Sequence, residues 1–138
     1  MSEARTDGSC DYEYTLGRSW VASDESGNTS TDSQTISVAD TQAPTWTSFP
    51  DNYDSECAPV DPPTPEGSDN CGSATVAPVS QETIPSVVEG QVIERVVTTW
   101  SLADECGNLG VSRSVTNTVK DTQDPVITAP ADFTAECT

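Results

Sequence analysis

The fold of this chain is decided by residues 91–109, QVIERVVTTWSLADECGNL. In an extended strand every second side chain lies on the same side, and apolar residues recur here with that period. The side that they form carries Val92, Val96, Trp100 and Leu102. The following Asp-Glu-Cys-Gly-Asn sequence is typical of a turn, and a second strand is predicted over 111–119. The stretch therefore predicts a β-hairpin with a buried inner face.

The same pattern occurs once more, near the start of the chain. Residues 20–28, WVASDESGN, match residues 100–108, WSLADECGN, at Trp, Asp, Glu, Gly and Asn, with an offset of 80 from Trp20 to Trp100. In the earlier copy Tyr12, Leu16, Trp20 and Ala22 take the positions of the inner face. Self-similarity at a fixed spacing is the signature of a tandem repeat.

Further matches set the limits of the repeat. Residues 38–44, VADTQAP, match 119–125, VKDTQDP, and the segment from Pro50 to Cys57 matches that from Pro130 to Cys137. We therefore predict one complete repeat over 41–121. Residues 1–40 would be the C-terminal half of a repeat, and 122–138 the opening strand of the next. We interpret such a chain as a segment of a longer array of repeats.

Short strands separated by turns indicate an all-β fold. The remaining strands are predicted at 46–49, 53–57 and 74–79, whereas 59–70, rich in proline and acidic residues, is predicted to be a loop. A unit of about 80 residues with this pattern fits a compact immunoglobulin-like β-sandwich.

Composition narrows the classes of function. The 138 residues include 5 Lys and Arg against 23 Asp and Glu, a net charge of −18, which repels phosphate backbones and anionic lipids. We therefore expect no nucleic-acid binding. We also expect no membrane insertion, since the sequence has no stretch of about 18 apolar residues. Two explanations of the acidity stay open: a solvated extracellular surface, and carboxylates gathered around divalent cations such as Ca²⁺.

Five cysteines and no histidine favour disulfides over zinc sites or Cys-His catalysis. Disulfides persist in oxidising compartments, so we expect an extracellular protein, either secreted or displayed at the cell surface. Without histidine, and with its acidic residues in repeated turns, the chain is not expected to be an enzyme.

Several of these motifs carry a family resemblance: Glu56-Cys57, Asp69-Asn70-Cys71-Gly72, Thr99-Trp100, the turn at 104–108 and Asp121-Thr122-Gln123-Asp124-Pro125. Together they resemble the hyalin-like (HYR-like) and related immunoglobulin-like tandem repeats of very large secreted proteins in marine bacteria and algae. The resemblance covers nearly the whole chain and implies non-catalytic adhesion, spacer or matrix modules.

The cysteines depart from the pattern of that family. Repeats of this type often carry four cysteines, but Gly90 stands where the earlier copy has Cys10, and Ser26 stands where the later copy has Cys106. In an immunoglobulin-like sandwich the B–C and F–G loops lie at one end, which pairs Cys71 with Cys106 and leaves Cys57 free or bonded to another chain. The alternative of Cys57 with Cys71 stays open.

The same loop geometry predicts a site at the repeat junction. Asp40, Asp69 and Asp104 should gather at the end of the complete repeat that faces the preceding one, where three carboxylates would hold a Ca²⁺ ion that stiffens the array. The alternative is that these aspartates serve only their own turns as Asx-turn acceptors.

Two further residues are candidates for contact with sugars. Asn28 opens the only Asn-x-Ser/Thr sequon, Asn28-Thr29-Ser30, and is a candidate for N-glycosylation at an exposed turn. Trp46 is the one candidate platform for binding a glycan, and its burial would argue against that role.

These observations favour an extracellular structural repeat of a filament, matrix or giant surface or adhesin protein. Its partners would be neighbouring repeats or copies of the same protein, with glycans outside. The alternative is an accessory carbohydrate- or ligand-binding module of a secreted multidomain protein. The incomplete ends would complete a neighbour by strand donation if the chain is a natural unit, but no counterpart of 58–89 is present in such a composite, which favours simple truncation.

Overall fold

The computed structural model describes residues 1–86 and 91–136, so Gly90 and Cys137 lie outside the described residues. Within these ranges the chain forms strands and no helix, which confirms the all-β class. The nine strands are β1 Ser2–Asp7, β2 Tyr14–Ser23, β3 Thr29–Val38, β4 Thr45–Ser48, β5 Tyr53–Glu56, β6 Glu66–Ser68, β7 Ala74–Pro85, β8 Val92–Asp104 and β9 Arg113–Lys120.

The first three strands form an antiparallel sheet in the order β1-β2-β3, here called the N-terminal sheet. The two long strands of this sheet are joined by a tight turn at 24–28, in which Gly27 adopts a φ of 86° that other residues rarely adopt. Their register places Tyr14 opposite Val38 and Leu16 opposite Ile36, so these apolar side chains share one side of the sheet.

The core of the molecule lies on a four-stranded sheet in the order β5-β9-β8-β7. Its buried apolar residues all belong to the predicted hairpin: Val96, Trp100, Leu102, Val115 and Val119. They alternate along β8 and β9 with residues that are less buried, as the period of two requires. Because β5 runs parallel to β9 whereas the other pairs are antiparallel, the sheet is mixed.

A small sheet of β4 and β6 lies against this core. A Cβ atom at Gly67 of β6 would lie 2.5 Å from Leu102 Cδ1, so only glycine allows the two layers to approach this closely. The prediction that 59–70 is entirely loop was therefore wrong at β6. The three residues of β6 are polar or small and have low strand propensity, so only their backbone pairing with β4 makes this segment a strand.

The N-terminal sheet repeats the arrangement of β7, β8 and β9. Trp20 lies opposite Asp32 as Trp100 lies opposite Arg113, and Tyr14 lies opposite Val38 as Glu94 lies opposite Val119. Strand β1 likewise pairs with β2 as the second half of β7 pairs with β8. The offsets of 80 and 81 residues found in the sequence thus recur in the strand register.

Residues 122–136, within the segment predicted to be an opening strand, form no strand and are exposed.

Candidate functional site

The site is built on the turn that ends β8. The Asp104 Oδ1 atom accepts hydrogen bonds from the backbone N–H groups of Cys106, at 2.9 Å, and Asn108, at 2.8 Å. Its Oδ2 atom accepts one from Asn108 Nδ2 at 2.8 Å. The earlier copy has the same bonds from Ser26 and Asn28 to Asp24, at 2.9, 2.8 and 2.7 Å. The Asp-x-x-Gly-Asn sequence therefore encodes this turn locally.

Asp40 and Asp69 reach the same place from two other segments. Asp40 follows β3 and Asp69 follows β6, and Asn108 Nδ2 also donates to the Asp40 backbone carbonyl at 3.2 Å. One carboxylate oxygen from each of Asp40, Asp69 and Asp104 lies within 4.8 Å of the other two. The three aspartates predicted to gather at the junction are thus together in the structure, and they form a group that can hold a metal ion.

Two oxygens of this group are buried and have no hydrogen-bond partner, Asp40 Oδ2 and Asp69 Oδ1. The other oxygen of each carboxylate accepts a turn hydrogen bond, from Gln42 N at 3.1 Å and from Cys71 N at 2.7 Å. The Asx-turn interpretation therefore explains one oxygen of each of these two residues and leaves the second without a partner. A buried carboxylate oxygen without a donor is costly unless a cation or water satisfies it.

The turn at the end of β8 favours the charged form of the Asp104 carboxylate. Burial favours the neutral acid of Asp104, but the hydrogen bonds from Asn108, Cys106 and Gly107 outweigh it and hold the pKa of Asp104 below its ordinary value. In the described residues the ion pairs of the chain involve Arg5, Arg18 and Lys120, none of which pairs with this cluster. The negative charge of the three carboxylates is therefore not neutralised by a basic side chain there.

A second acidic group, missed by the sequence analysis, lies at the opposite end of the complete repeat. It comprises Glu56, Cys57 and Asp121, all exposed. Thr122 donates to Glu56 through its N–H, at 2.7 Å, and its hydroxyl, at 3.0 Å, and the backbone bond lowers the pKa of Glu56. The repeat offers a signal for this group, because Asp121 occupies the position that Asp40 has one repeat earlier.

The predicted disulfide between Cys71 and Cys106 is wrong. Cys106 is bonded to Cys10, with their Cα atoms 5.1 Å apart, while Cys57 and Cys71 are free. The bond joins the β1–β2 turn of the N-terminal sheet to the β8–β9 turn of the complete repeat. The prediction assumed pairing inside one domain. The repeat held a signal against that assumption, since Cys10 and Cys106 are the two cysteines whose equivalent position in the other copy holds a different residue, Gly90 and Ser26.

Asn28 lies exposed at the turn after β2, where its Nδ2 atom donates to Asp24 Oδ2. A glycan on this nitrogen would leave one hydrogen for that bond, so glycosylation of Asn28 stays a prediction. Trp46 is half-buried, its Nε1–H donates to the Val111 carbonyl at 2.7 Å, and its ring meets Phe49 edge-on at 5.1 Å. The indole is thus partly used in packing.

A groove of about 520 Å³ opens beside the core. Its lining residues include Asp61, Pro78, Gln81 and Trp100. The Trp100 Nε1 atom is buried and has no hydrogen-bond partner.

The described residues contain no helix of the length and apolar character needed to cross a membrane. No protein-family model and no curated protein sequence matches the chain.

Proposed function

We propose that the chain is an extracellular structural module, part of a tandem array of immunoglobulin-like β-sandwich repeats in a filament, matrix or large surface protein. The observation that carries this proposal is the covalent bond between two copies of one sheet. Cys10 of the earlier copy is joined to Cys106 of the later one, so the disulfide fixes a repeat junction. A link of this kind transmits tension along an array and does nothing for the chemistry of a substrate.

The disulfide and the acidic surface both support an extracellular location. Disulfides persist in oxidising compartments, and a net charge of −18 keeps long arrays soluble and apart from one another. Asp24, Asp40, Asp69 and Asp104 each accept a turn hydrogen bond, and this use of acidic side chains favours a non-enzymatic role.

Calcium at the junction is the second part of the proposal. Ca²⁺ binds oxygen at 2.3–2.6 Å, so ligands on opposite sides of one ion lie about 4.6–5.2 Å apart. The separations within 4.8 Å among Asp40, Asp69 and Asp104 suit such an ion, and two of the oxygens have no other partner. Backbone carbonyls and water would complete the 6–8 ligands. Asp40 follows β3, so the ion would tie the end of the N-terminal sheet to the complete repeat.

Thermal unfolding with Ca²⁺ and with a chelator tests the site. We expect chelation to lower the melting temperature of the native chain by several degrees, since loss of a bound ligand destabilises the folded state. Asp40→Asn should abolish that shift.

Asp24→Asn is the matched control. Asp24 has the same position in the repeat as Asp104 and accepts the same turn hydrogen bonds, from Ser26 N at 2.9 Å and Asn28 N at 2.8 Å, but it belongs to neither acidic group. The control variant should keep the calcium shift. If neither calcium nor the chelator changes the melting temperature of the native chain, calcium is excluded as the junction ion.

The alternative function, an accessory carbohydrate- or ligand-binding module, is favoured by one observation, the groove of about 520 Å³ whose lining includes Trp100, Gln81 and Asp61. Titration with oligosaccharides, followed by tryptophan fluorescence, tests it. Saturable quenching that Gln81→Ala weakens would support the module, since Gln81 lines the groove and is an exposed residue of β7. The absence of any saturable signal would leave the structural role as the better explanation.

A further inference from the structure

We infer that Cys71 is a built-in partner for exchange of the Cys10–Cys106 disulfide. Exchange replaces the bond between the two copies of the sheet by a bond within the complete repeat. The inference rests on the proposed structural role, since it describes how the covalent repeat junction is released. It is tested by a measurement that does not depend on that role.

Three cysteines meet at this junction. Cys10 and Cys106 are bonded to each other, and Cys71 is a free thiol. All three are half-buried, whereas the residues on either side of each one are exposed. Each cysteine is thus more covered than its neighbours in the chain, as expected of residues at the contact between the N-terminal sheet and the complete repeat.

On one side, the loop of Cys71 is held against the turn of Cys106. Strands β7 and β8 are paired up to the first residue of β7 and the last residue of β8. Beyond that pair, Ser73 Oγ donates a hydrogen bond to Glu105 Oε1 at 2.6 Å. The two cysteines follow within two residues of this contact. Antiparallel partners have Cα atoms about 4.5–5.5 Å apart, which is within the range that a disulfide spans.

On the other side, the same loop contacts the turn of Cys10. A Cβ atom at Gly72 would lie 2.6 Å from Cε2 of Tyr12, which is two residues after Cys10. Gly72 has a φ of 98°, so both its conformation and the close approach of the tyrosine ring require glycine. The residue next to Cys71 therefore lies against the β1–β2 turn.

The backbones of Cys71 and Cys106 are anchored at the same acidic group. The N–H of Cys71 donates to Asp69 Oδ2 at 2.7 Å, and the N–H of Cys106 donates to Asp104 Oδ1 at 2.9 Å. These two aspartates belong to the group of carboxylates at the junction. The contacts fix both cysteine backbones near one point, and proximity of this kind favours reaction between their side chains.

The exchange needs no external oxidant or reductant. Cys71 gives its proton to water, and its sulfur attacks Cys106 Sγ. The bond between Cys71 and Cys106 forms, the bond between Cys10 and Cys106 breaks, and the Cys10 sulfur leaves as a thiolate that takes up a proton. We assign the attack to Cys106 because its turn continues the same pair of strands as the loop of Cys71, whereas Cys10 belongs to the N-terminal sheet.

The product has no covalent link between the two copies of the sheet other than the chain itself. The N-terminal sheet is then attached through residues 39–44 and through noncovalent contacts such as that of Asn108 Nδ2 with the Asp40 carbonyl, at 3.2 Å. Exchange therefore turns a fixed junction into a flexible one and leaves a disulfide in the complete repeat.

Thiol labelling followed by peptide mapping tests the inference. The sequence with Cys57 and Cys137 replaced by serine keeps the three junction cysteines. It is incubated in its oxidised form without added thiol, quenched at increasing times, and labelled with N-ethylmaleimide. Mass spectrometry then identifies the labelled cysteine. We expect label on Cys71 at first and, over minutes to hours, a gain of label on Cys10 that equals the loss at Cys71.

The matched control keeps Cys57 and carries Cys71→Ser instead. Cys57 is also a free thiol, but it lies at the opposite end of the complete repeat, so no label should reach Cys10. Label on Cys10 in this control, or an exchange rate that rises with protein concentration, would mean attack by another molecule and would overturn the inference.

Two further results would also overturn it. One is label confined to a single cysteine at all times, and the other is a bond between Cys10 and Cys71 in place of one between Cys71 and Cys106. A chain without exchange keeps its junction closed, so the proposed structural role and the calcium-dependent melting shift would stand.

Discussion

At the scale of single residues, the aspartate that ends each tryptophan strand organises the chain. Asp24 and Asp104 receive the same backbone and side-chain hydrogen bonds, so both turns are encoded by five residues. The two differ in their surroundings. Asp104 is buried beside Asp40 and Asp69, whereas Asp24 is exposed. The same turn motif thus forms part of a candidate metal site only at Asp104, where Asp40 and Asp69 from other segments supply further carboxylate oxygens.

The turn at Asp24 should respond to acid. The side-chain amide of Asn28, followed by its backbone N–H, lowers the pKa of Asp24 below its ordinary value of 3.8. The stability from this contact is fully present above the ordinary pKa and is lost as the pH falls through the lower folded value. NMR titration of the Asn28 side-chain amide should show a midpoint below 3.8, and Asp24→Asn should remove the transition. A midpoint at or above 3.8 would contradict the assignment.

At the scale of elements, β8 carries most of the core. Its even-numbered residues from 96 to 104 are buried, and the side chain of Leu102 is wholly so, between Gly67 of the covering sheet and Gly110. The earlier copy has Ala22 at the same position, in a sheet with no covering layer in the described chain. The larger side chain, leucine, thus occurs where the β4–β6 sheet covers the position, and the smaller one, alanine, occurs where no sheet of the described chain covers it.

Leu102→Ala should destabilise the complete repeat by about 2–5 kcal/mol, because truncating a buried leucine loses transfer energy and leaves a cavity. Leu109→Ala, in the same hairpin but exposed, should change the free energy of unfolding by less than about 0.5 kcal/mol. Urea unfolding followed by tryptophan fluorescence measures both. Equal effects would mean that the β4–β6 layer does not cover the core as described.

At the scale of the whole molecule, one disulfide joins two unequal parts. Residues 41–121 contain the buried apolar core, whereas in the N-terminal sheet Leu16 and Ile36 are only half-buried and Trp20 is 38% exposed. The Cys10–Cys106 bond has a sequence separation of 96 residues. It connects the N-terminal sheet, which lacks a core of this kind, to the part of the chain that has one.

Cys10→Ser should loosen the N-terminal sheet. In the chain-entropy description, a link across 96 residues contributes about 4–5 kcal/mol. The amides of β2 and β3 should then exchange with solvent faster, while those of β8 and β9 keep their protection. Cys71→Ser should leave both sheets unchanged, since Cys71 is free. If Cys71→Ser has the larger effect on exchange, the pairing of Cys71 with Cys106 would be the correct one after all.

The sequence by itself determined the tryptophan hairpin, its earlier copy and the junction cluster of this protein. Alternating apolar residues and the Asp-x-x-Gly-Asn turn depend on neighbours within a few residues, and the offset of 80 places equivalent elements in equivalent positions. The gathering of Asp40, Asp69 and Asp104 followed from loop positions alone, because each loop lies at a fixed end of its strand.

Only the tertiary structure decided the pairing of Cys10 with Cys106, the strand at 66–68 and the two carboxylate oxygens without partners. Each of these depends on the distance between segments far apart in the chain. A cysteine can pair with any other that the fold brings close, and a short polar segment becomes a strand only when a neighbour offers its backbone. The pattern of neighbouring residues does not show which cysteines, or which backbone segments, lie close together in the fold.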